Sequence, residues 1–147
     1  MSTGVMLAFL PAGDTSWCKQ DLPHLTLVYC GDIADLEPTA FNDLAKDGIT
    51  VARTMKPFML DVLGVDVFGA DSEAKVDALS LQPTPDLFTA RKLVEHWNAS
   101  QFKDLSPHVT VGPQGSADGT IPTKLYFDRL AAVWGNRQLV FNLGPQY

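Results

Sequence analysis

The sequence holds two stretches built on the same pattern, LPHLTLV at residues 22–28 and SPHVTVG at residues 106–112. Each stretch places a proline directly before a histidine and a threonine two residues after it. Because residues i and i+2 of a β-strand point to the same face, each histidine shares a face with its threonine. Leu25 and Val109 then point the opposite way, into a core. The proline lies at the strand start, where it breaks no ladder hydrogen bond.

The paired side chains suit the chemistry of a phosphodiester bond. Cleavage needs a base, an acid and hydrogen-bond donors to the phosphoryl oxygens. His24 and His108 could act as base and acid, because imidazole exchanges protons near neutral pH. Thr26 and Thr110, with nearby backbone N–H groups, could hold the non-bridging oxygens. One such motif alone favours a polar strand residue in a stable core, but a matched pair arises by chance with odds of roughly one in a hundred. The pair therefore predicts one active site, which needs no metal and no cofactor.

The composition is that of one globular domain spanning residues 1–147, with 46% hydrophobic and 19% charged residues. No apolar run approaches the roughly 20 residues of a membrane helix. The apolar stretch at 5–10 is interpreted as a strand rather than a signal peptide, and the expected location is the cytoplasm. Cys18 and Cys30 are interpreted as free thiols, since they lack the spacing of a zinc or redox site.

The formal net charge of −6 bears on the partners of the protein. A protein that holds long nucleic acid by its phosphates normally presents a basic face, so long nucleic acid is an improbable partner. A small nucleotide remains a suitable substrate, because a few local groups can hold one phosphate. No membrane partner is expected, and the sequence leaves the oligomeric state open.

Periodicity and turn residues divide the chain into two similar halves. Strands are predicted at 5–10, 25–29, 58–68, 76–81, 108–111, 124–130 and 138–143, and helices at 36–54 and 85–98. Gly48 is expected to break the first helix, because glycine costs about 1 kcal/mol in a helix interior. Each half holds strands, one helix and one Pro-His-x-Thr strand, so the order of elements suggests a duplication.

The sequence resembles the 2H phosphoesterase superfamily, which has two His-x-Thr/Ser motifs. The stretch HLTLVYCG at 24–31 is similar to the family's first motif and its hydrophobic tail, and SPHVTV at 106–111 is similar to the second. The stretch PFMLDVLGVDVF at 57–68 resembles the family's mid-chain strand pair. The resemblance implies an α+β fold: a bilobal, duplicated 2H phosphoesterase fold in which two antiparallel sheets face each other across a central cleft, with the helices on the outside.

The resemblance also implies roles for the motif residues. His24 and His108 would form the acid/base pair, with His108 favoured as the base on water and His24 as the acid. Thr26 and Thr110 would bind the phosphate. Several branches of the family place a basic residue just after the second motif, whereas Gly112 and Pro113 follow it here, which argues against RNA processing.

The expected reaction is therefore hydrolysis of a small or cyclic nucleotide phosphodiester. The bond could be a 2′,3′-cyclic phosphate, a 2′-5′ linkage or part of a cyclic oligonucleotide signal. Phage enzymes that destroy such signals belong to the superfamily, and short chains of this kind resemble bacteriophage proteins, in which case the location would be the host cytoplasm. Two alternatives stay open: a non-catalytic module that binds or sequesters a nucleotide, and an RNA end-processing or ligase-type enzyme.

Aromatic residues near the motifs are candidates to bind substrate. Trp17 and Tyr29 are predicted to line the cleft, where a ring could stack on a nucleobase. Phe68 could do the same, but ordinary packing is the favoured interpretation. His96 has no threonine at i+2 and is interpreted as a surface helix residue. A zinc site built from the three histidines and a cysteine is not supported by their spacing.

Overall fold

A computed structural model of the protein describes residues 3–69 and 75–144. Within these residues the chain forms seven strands and two α-helices, and every predicted strand is present. The strands are β1 (Gly4–Pro11), β2 (Leu25–Asp32), β3 (Phe58–Phe68), β4 (Val76–Leu81), β5 (His108–Pro113), β6 (Lys124–Trp134) and β7 (Arg137–Asn142). The helices are α1 (Ala40–Thr54) and α2 (Pro85–Val94), and short 3-10 turns lie at Ile33–Asp35 and Glu95–Trp97.

All strand pairs are antiparallel, in the order β1-β2-β5-β4-β3-β6-β7, and β1 also pairs with β6. Strand β6 links the two halves, because its first residues pair with β3 and the remainder lies between β1 and β7. The two halves also meet between β2 and β5, through the single pair of Leu25 opposite Val109. The predicted α+β class is confirmed.

One face of the strands packs beneath the helices and forms the main core. Leu25 and Val109 are both fully buried in it, as the strand phase predicts. Other fully buried members come from β1, α1 and α2: Leu7, Phe9, Leu44, Val51, Leu87 and Val94. Complete burial of one such side chain contributes about 1.5–3 kcal/mol. The opposite face carries only a small cluster formed by Leu10, Ala131 and Val133, with Met6 and Leu22 against it.

The expected break of the first helix at Gly48 is wrong, because α1 runs through it without interruption. A Cβ at this position would lie 3.2 Å from Leu7 Cδ2 and 3.4 Å from Phe141 Cε2. Glycine therefore lets α1 approach the sheet closely, and the packing gained there offsets its low helix propensity. The helix begins at Ala40 rather than at residue 36, because the N–H of Leu36 bonds the Ile33 carbonyl and closes a 3-10 turn first.

Two other boundaries differ from the prediction by four residues. Helix α2 ends at Val94 and continues only as the 3-10 turn Glu95–Trp97. Strand β6 extends to Trp134, four residues beyond its predicted end, because it pairs with β1 and β7 along that length. Gly135, at φ 62°, then makes the tight turn into β7. In the part of the chain described, neither helix has the length and apolar character to cross a membrane.

Candidate active site

The single pair between β2 and β5 brings the two motifs together. Leu25 lies opposite Val109, so extending the antiparallel register by one residue places Thr26 opposite His108 and His24 opposite Thr110. Side chains directly opposite each other have Cβ atoms about 4.5–5.5 Å apart, and diagonal neighbours about 7–8 Å. The two histidines are such diagonal neighbours. The four motif residues thus form one patch on the face that the helices leave uncovered.

Each histidine is held by a carbonyl of its own motif. Nδ1 of His24 lies 2.7 Å from the carbonyl oxygen of Leu22, and Nδ1 of His108 lies 2.9 Å from that of Ser106. A carbonyl only accepts, so Nδ1 carries the proton in each bond and donates it. Nε2 is then the nitrogen left for proton transfer. Both carbonyls belong to the residue before the motif proline.

The loop between β1 and β2 supports the second motif from the side. The Cys18 thiol donates to the Thr110 carbonyl at 3.3 Å, and the Lys19 backbone N–H donates to the Val111 carbonyl at 2.7 Å. These contacts continue the pairing of β5 where β2 no longer reaches it. Trp17 lies in the same loop, half-buried against the main core, with its indole N–H 3.2 Å from the Asp14 carbonyl. Its ring stays outside the cavity described next.

Thr26 and His108 open into a cavity of about 500 Å³. Its other lining residues come from β2, β3, α2 and the segment before β5: Tyr29, Phe68, Arg91, Ser100, Phe102, Asp104, Leu105 and Ser106. The volume is typical of small-molecule sites. Tyr29, predicted to bind substrate, therefore borders the same space as two motif residues. His24 and Thr110 lie beyond this lining, on the other side of the patch.

Phe68 packs directly on the imidazole of His108. The two ring centroids lie 4.4 Å apart and the ring planes meet at 17°, which is a stacked arrangement. The sequence predicts ordinary packing for this residue, but nothing local shows that its partner is the second motif histidine, two strands away. The ring covers one face of His108 and restricts its rotation.

Polar groups of β3 and β4 share this face. Ser80 lies opposite His108 in the register between β4 and β5. Its hydroxyl donates to the carboxylate of Asp66 on β3. A serine and an acidic residue therefore extend the row that begins at His108, and no sequence motif marks them.

His96 takes no part in the patch. Its Nε2 lies 3.2 Å from Oδ2 of Asp47, and the indole N–H of Trp97 donates to the same oxygen at 2.7 Å. Among residues 3–69 and 75–144, no three His, Cys, Asp or Glu side chains are grouped so as to hold a metal ion. Both cysteines are free thiols, as predicted, and burial raises the pKa of Cys30 to about 12.

Two arginines near the patch were not singled out by the sequence. Arg91 of α2 is buried and lines the cavity. Arg129 of β6 lies opposite Leu10, on the same face as the small apolar cluster. Its side chain bonds the Pro11 carbonyl at 3.1 Å and the Asp128 carboxylate at 3.0 Å. No basic residue directly follows the second motif, whereas these two cations come from α2 and β6.

Comparison with known proteins supports the fold through structure alone, since no family model and no curated protein matches the sequence. TT0787 of Thermus thermophilus matches with a TM-score of 0.63 at 14% identity, over 98% of this chain and 100% of that one. Usb1 of Kluyveromyces marxianus matches with a TM-score of 0.66 at 11% identity, over 97% and 98%. E. coli LigT, solved with NADP+, matches with a TM-score of 0.53 at 19% identity, over 97% and 96%. The likeness to these structures shows a shared fold, and the α+β class that the resemblance implies is confirmed.

Proposed function

We propose that this protein is a phosphodiesterase that hydrolyses a phosphodiester of a small or cyclic nucleotide. The observation that carries the proposal is the pair between Leu25 and Val109, whose extended register sets each motif histidine opposite the threonine of the other motif. Both imidazoles are anchored through Nδ1, so in each ring Nε2 is the nitrogen left for proton transfer with the substrate. These groups supply the acid, the base and the phosphate donors of the reaction without a metal ion.

The reaction follows from the positions of these groups. One Nε2 takes a proton from water as the water oxygen bonds to phosphorus. The other Nε2 gives its proton to the oxygen that leaves. The Thr26 and Thr110 hydroxyls donate to the non-bridging oxygens, where negative charge increases in the transition state. The diagonal placement of the histidines suits attack and departure on opposite sides of the phosphorus.

The position of the cavity affects which histidine is the acid. The cavity adjoins His108, so a nucleoside bound there lies on the His108 side of the phosphorus. In a 2′,3′-cyclic phosphate the leaving oxygen stays on that ribose, and His108 would then protonate it while His24 activates water. If the leaving group instead lies on the side of the phosphorus away from His108, His24 protonates it and His108 activates water, which is the assignment that the resemblance favours.

The cavity and the charge of the chain support a nucleotide of limited size. Tyr29 and Phe102 expose aromatic surface in the cavity, where a base could stack. The net charge of −6 disfavours a long polyanion. Among proteins of the same fold, E. coli LigT has been solved with 3′-AMP and K. marxianus Usb1 with uridine monophosphate.

The proposal is tested by incubating the protein with a panel of cyclic mono-, di- and trinucleotides and separating the products. We expect turnover of at least one member, unchanged by EDTA. His24→Ala should reduce kcat/KM at least about a hundredfold, with the thermal unfolding midpoint unchanged. Tight binding without product, for every compound, would instead favour the nucleotide-sequestering module. Loss of turnover on chelation would contradict the proposed chemistry.

A further inference from the structure

We propose that Arg91 selects nucleobases that carry a carbonyl oxygen beside a ring N–H, by donating a hydrogen bond to that oxygen inside the cavity beside His108. This inference rests on the proposed function, because it assumes that the base of a nucleotide occupies the cavity. It assigns a specificity-determining role to a residue that lies outside both motifs.

The guanidinium of Arg91 is buried but makes little use of its donors. The side chain is only 8% exposed. Nη1 donates to the Leu27 carbonyl at 2.5 Å, Nη2 lies 3.5 Å from the Lys103 carbonyl, and Nε has no partner in the part of the chain that the structure describes. A distance of 3.5 Å is at the outer limit of a hydrogen bond. One of the five N–H donors is therefore well satisfied.

The positive charge of Arg91 also has no counterion among the described residues. Within residues 3–69 and 75–144, no carboxylate lies within ion-pair distance of it. A buried charge is costly unless it is paired or fully hydrogen-bonded. The bond to Leu27 stabilises the edge of β2, but a single neutral donor would serve that purpose. Nε is enclosed by protein, but a ligand oxygen in the cavity that Arg91 lines would give its Nη groups and its charge a further partner.

The walls of the cavity indicate that this oxygen belongs to a base rather than to a second phosphate. Tyr29 and Phe102 provide aromatic surface suited to a planar ring. Asp104 lies in the same lining, and its carboxylate would repel a phosphate. The same carboxylate would accept an N–H next to a carbonyl. Uracil and guanine present a carbonyl beside a ring N–H, and arginine pairs well with the carbonyl oxygen of guanine. Cytosine and adenine present an amino group where the carbonyl would be.

Calorimetric titration with the four nucleoside 3′-monophosphates tests the inference without requiring turnover. We expect the uridine and guanosine compounds to bind about tenfold or more tightly than the cytidine and adenosine compounds. Arg91→Gln should remove most of that advantage while leaving the affinity for cytidine and adenosine nearly unchanged. Arg53→Gln, which removes a charge from α1 outside the cavity, is the matched control and should preserve the preference.

Three results would overturn the inference. The first is a wild-type protein that binds all four bases equally. The second is an Arg91→Gln protein that weakens all four equally, which is the result of a structural role. The third is an Arg91→Gln protein that loses affinity only for an added phosphate, measured by comparing uridine 3′,5′-bisphosphate with uridine 3′-monophosphate.

An exposed residue provides a second variant if Arg91→Gln fails to fold. Asp104 lies at the surface, so Asp104→Asn should keep the thermal unfolding midpoint of the wild type. It should reduce the preference for uridine and guanosine, because its amide accepts the ring N–H less strongly; an unchanged preference would contradict the assignment of the cavity. A failure here is distinct from a failure of the proposed function, which is decided by product formation and by His24→Ala.

Discussion

The register between β2 and β5 predicts which site residues act together. Thr26 lies opposite His108 and His24 opposite Thr110, by extension of the pair between Leu25 and Val109. Residues directly opposite each other have Cβ atoms about 4.5–5.5 Å apart, whereas residues i and i+2 of one strand are about 6.6 Å apart. We therefore expect a histidine to be coupled more strongly to the threonine of the other motif than to the threonine of its own.

The size of the effect follows from the roles of the groups. Loss of either imidazole should lower kcat/KM at least a hundredfold, which is about 2.7 kcal/mol of transition-state stabilisation. Removing one donor to a developing oxyanion by Thr26→Val should cost a similar amount. Residues in contact show coupling energies of about 0.5–3 kcal/mol. The transition-state stabilisation lost in the Thr26→Val, His108→Ala double variant should thus be about 1–2 kcal/mol smaller than the sum of the losses in the two single variants.

The assay is a set of double-mutant cycles on kcat/KM for one cyclic nucleotide. The two cross-strand pairs are compared with the two pairs within a motif, and thermal unfolding verifies that every variant is folded. Coupling within a motif should be clearly smaller than coupling across the strands. Equal or larger coupling within each motif would refute the register argument, because the pair between Leu25 and Val109 would then not set the geometry that catalysis uses.

Three further predictions concern leaving group, ring position and thiol chemistry. A p-nitrophenyl ester needs little acid catalysis, so the variant of the acid histidine, His24→Ala or His108→Ala, should lose far less activity on it than on a cyclic nucleotide; equal losses on both substrates would deny that residue the acid role. Phe68→Leu should lower kcat more than it raises KM, because the stacked ring orients His108, and Phe68→Tyr should restore kcat if stacking is the cause. Burial raises the pKa of Cys30 to about 12 and also raises that of Cys18. A higher pKa means less thiolate at pH 8, so iodoacetamide should label Cys18 slowly and Cys30 only after unfolding, as peptide mass mapping would show; rapid labelling of Cys30 in the native protein would contradict this.

The strands and the motif faces could be predicted from the sequence because they depend on local periodicity. Alternation over 22–28 and 106–112 places the histidines on one face and Leu25 and Val109 on the other, and both of these residues are fully buried. The prolines mark the strand starts, which is also a local feature. Each histidine bonds the carbonyl two residues before it. Nothing distant in the chain is needed for these features.

The neighbours of the site could not be predicted, because they depend on pairings between distant segments. Phe68 reaches His108 only through the pairing of β3 with β4 and of β4 with β5. Arg91 follows Ala90 on α2 and looks like an ordinary exposed helix residue, yet the docking of α2 on β2 buries it. The predicted helix break at Gly48 was wrong for the same reason. Leu7 and Phe141 approach the helix at Gly48, and these contacts join distant segments of the chain.

The site lies where β2 and β5 meet through a single residue pair. The stability of the fold and the spacing of the catalytic groups therefore depend on different contacts. Each motif is fixed by its own half, through one buried residue and one carbonyl, whereas β2 and β5 share a single pair. The contacts that set the spacing between the two imidazoles are therefore few. They include the bond from the Lys19 N–H to the Val111 carbonyl and the bond from the Cys18 thiol to the Thr110 carbonyl. Because Cys18 and Lys19 belong to the loop between β1 and β2 and are not members of the main core cluster, substitutions that disturb these bonds should change the distance between His24 and His108, and thus the rate, at little cost in the free energy of unfolding.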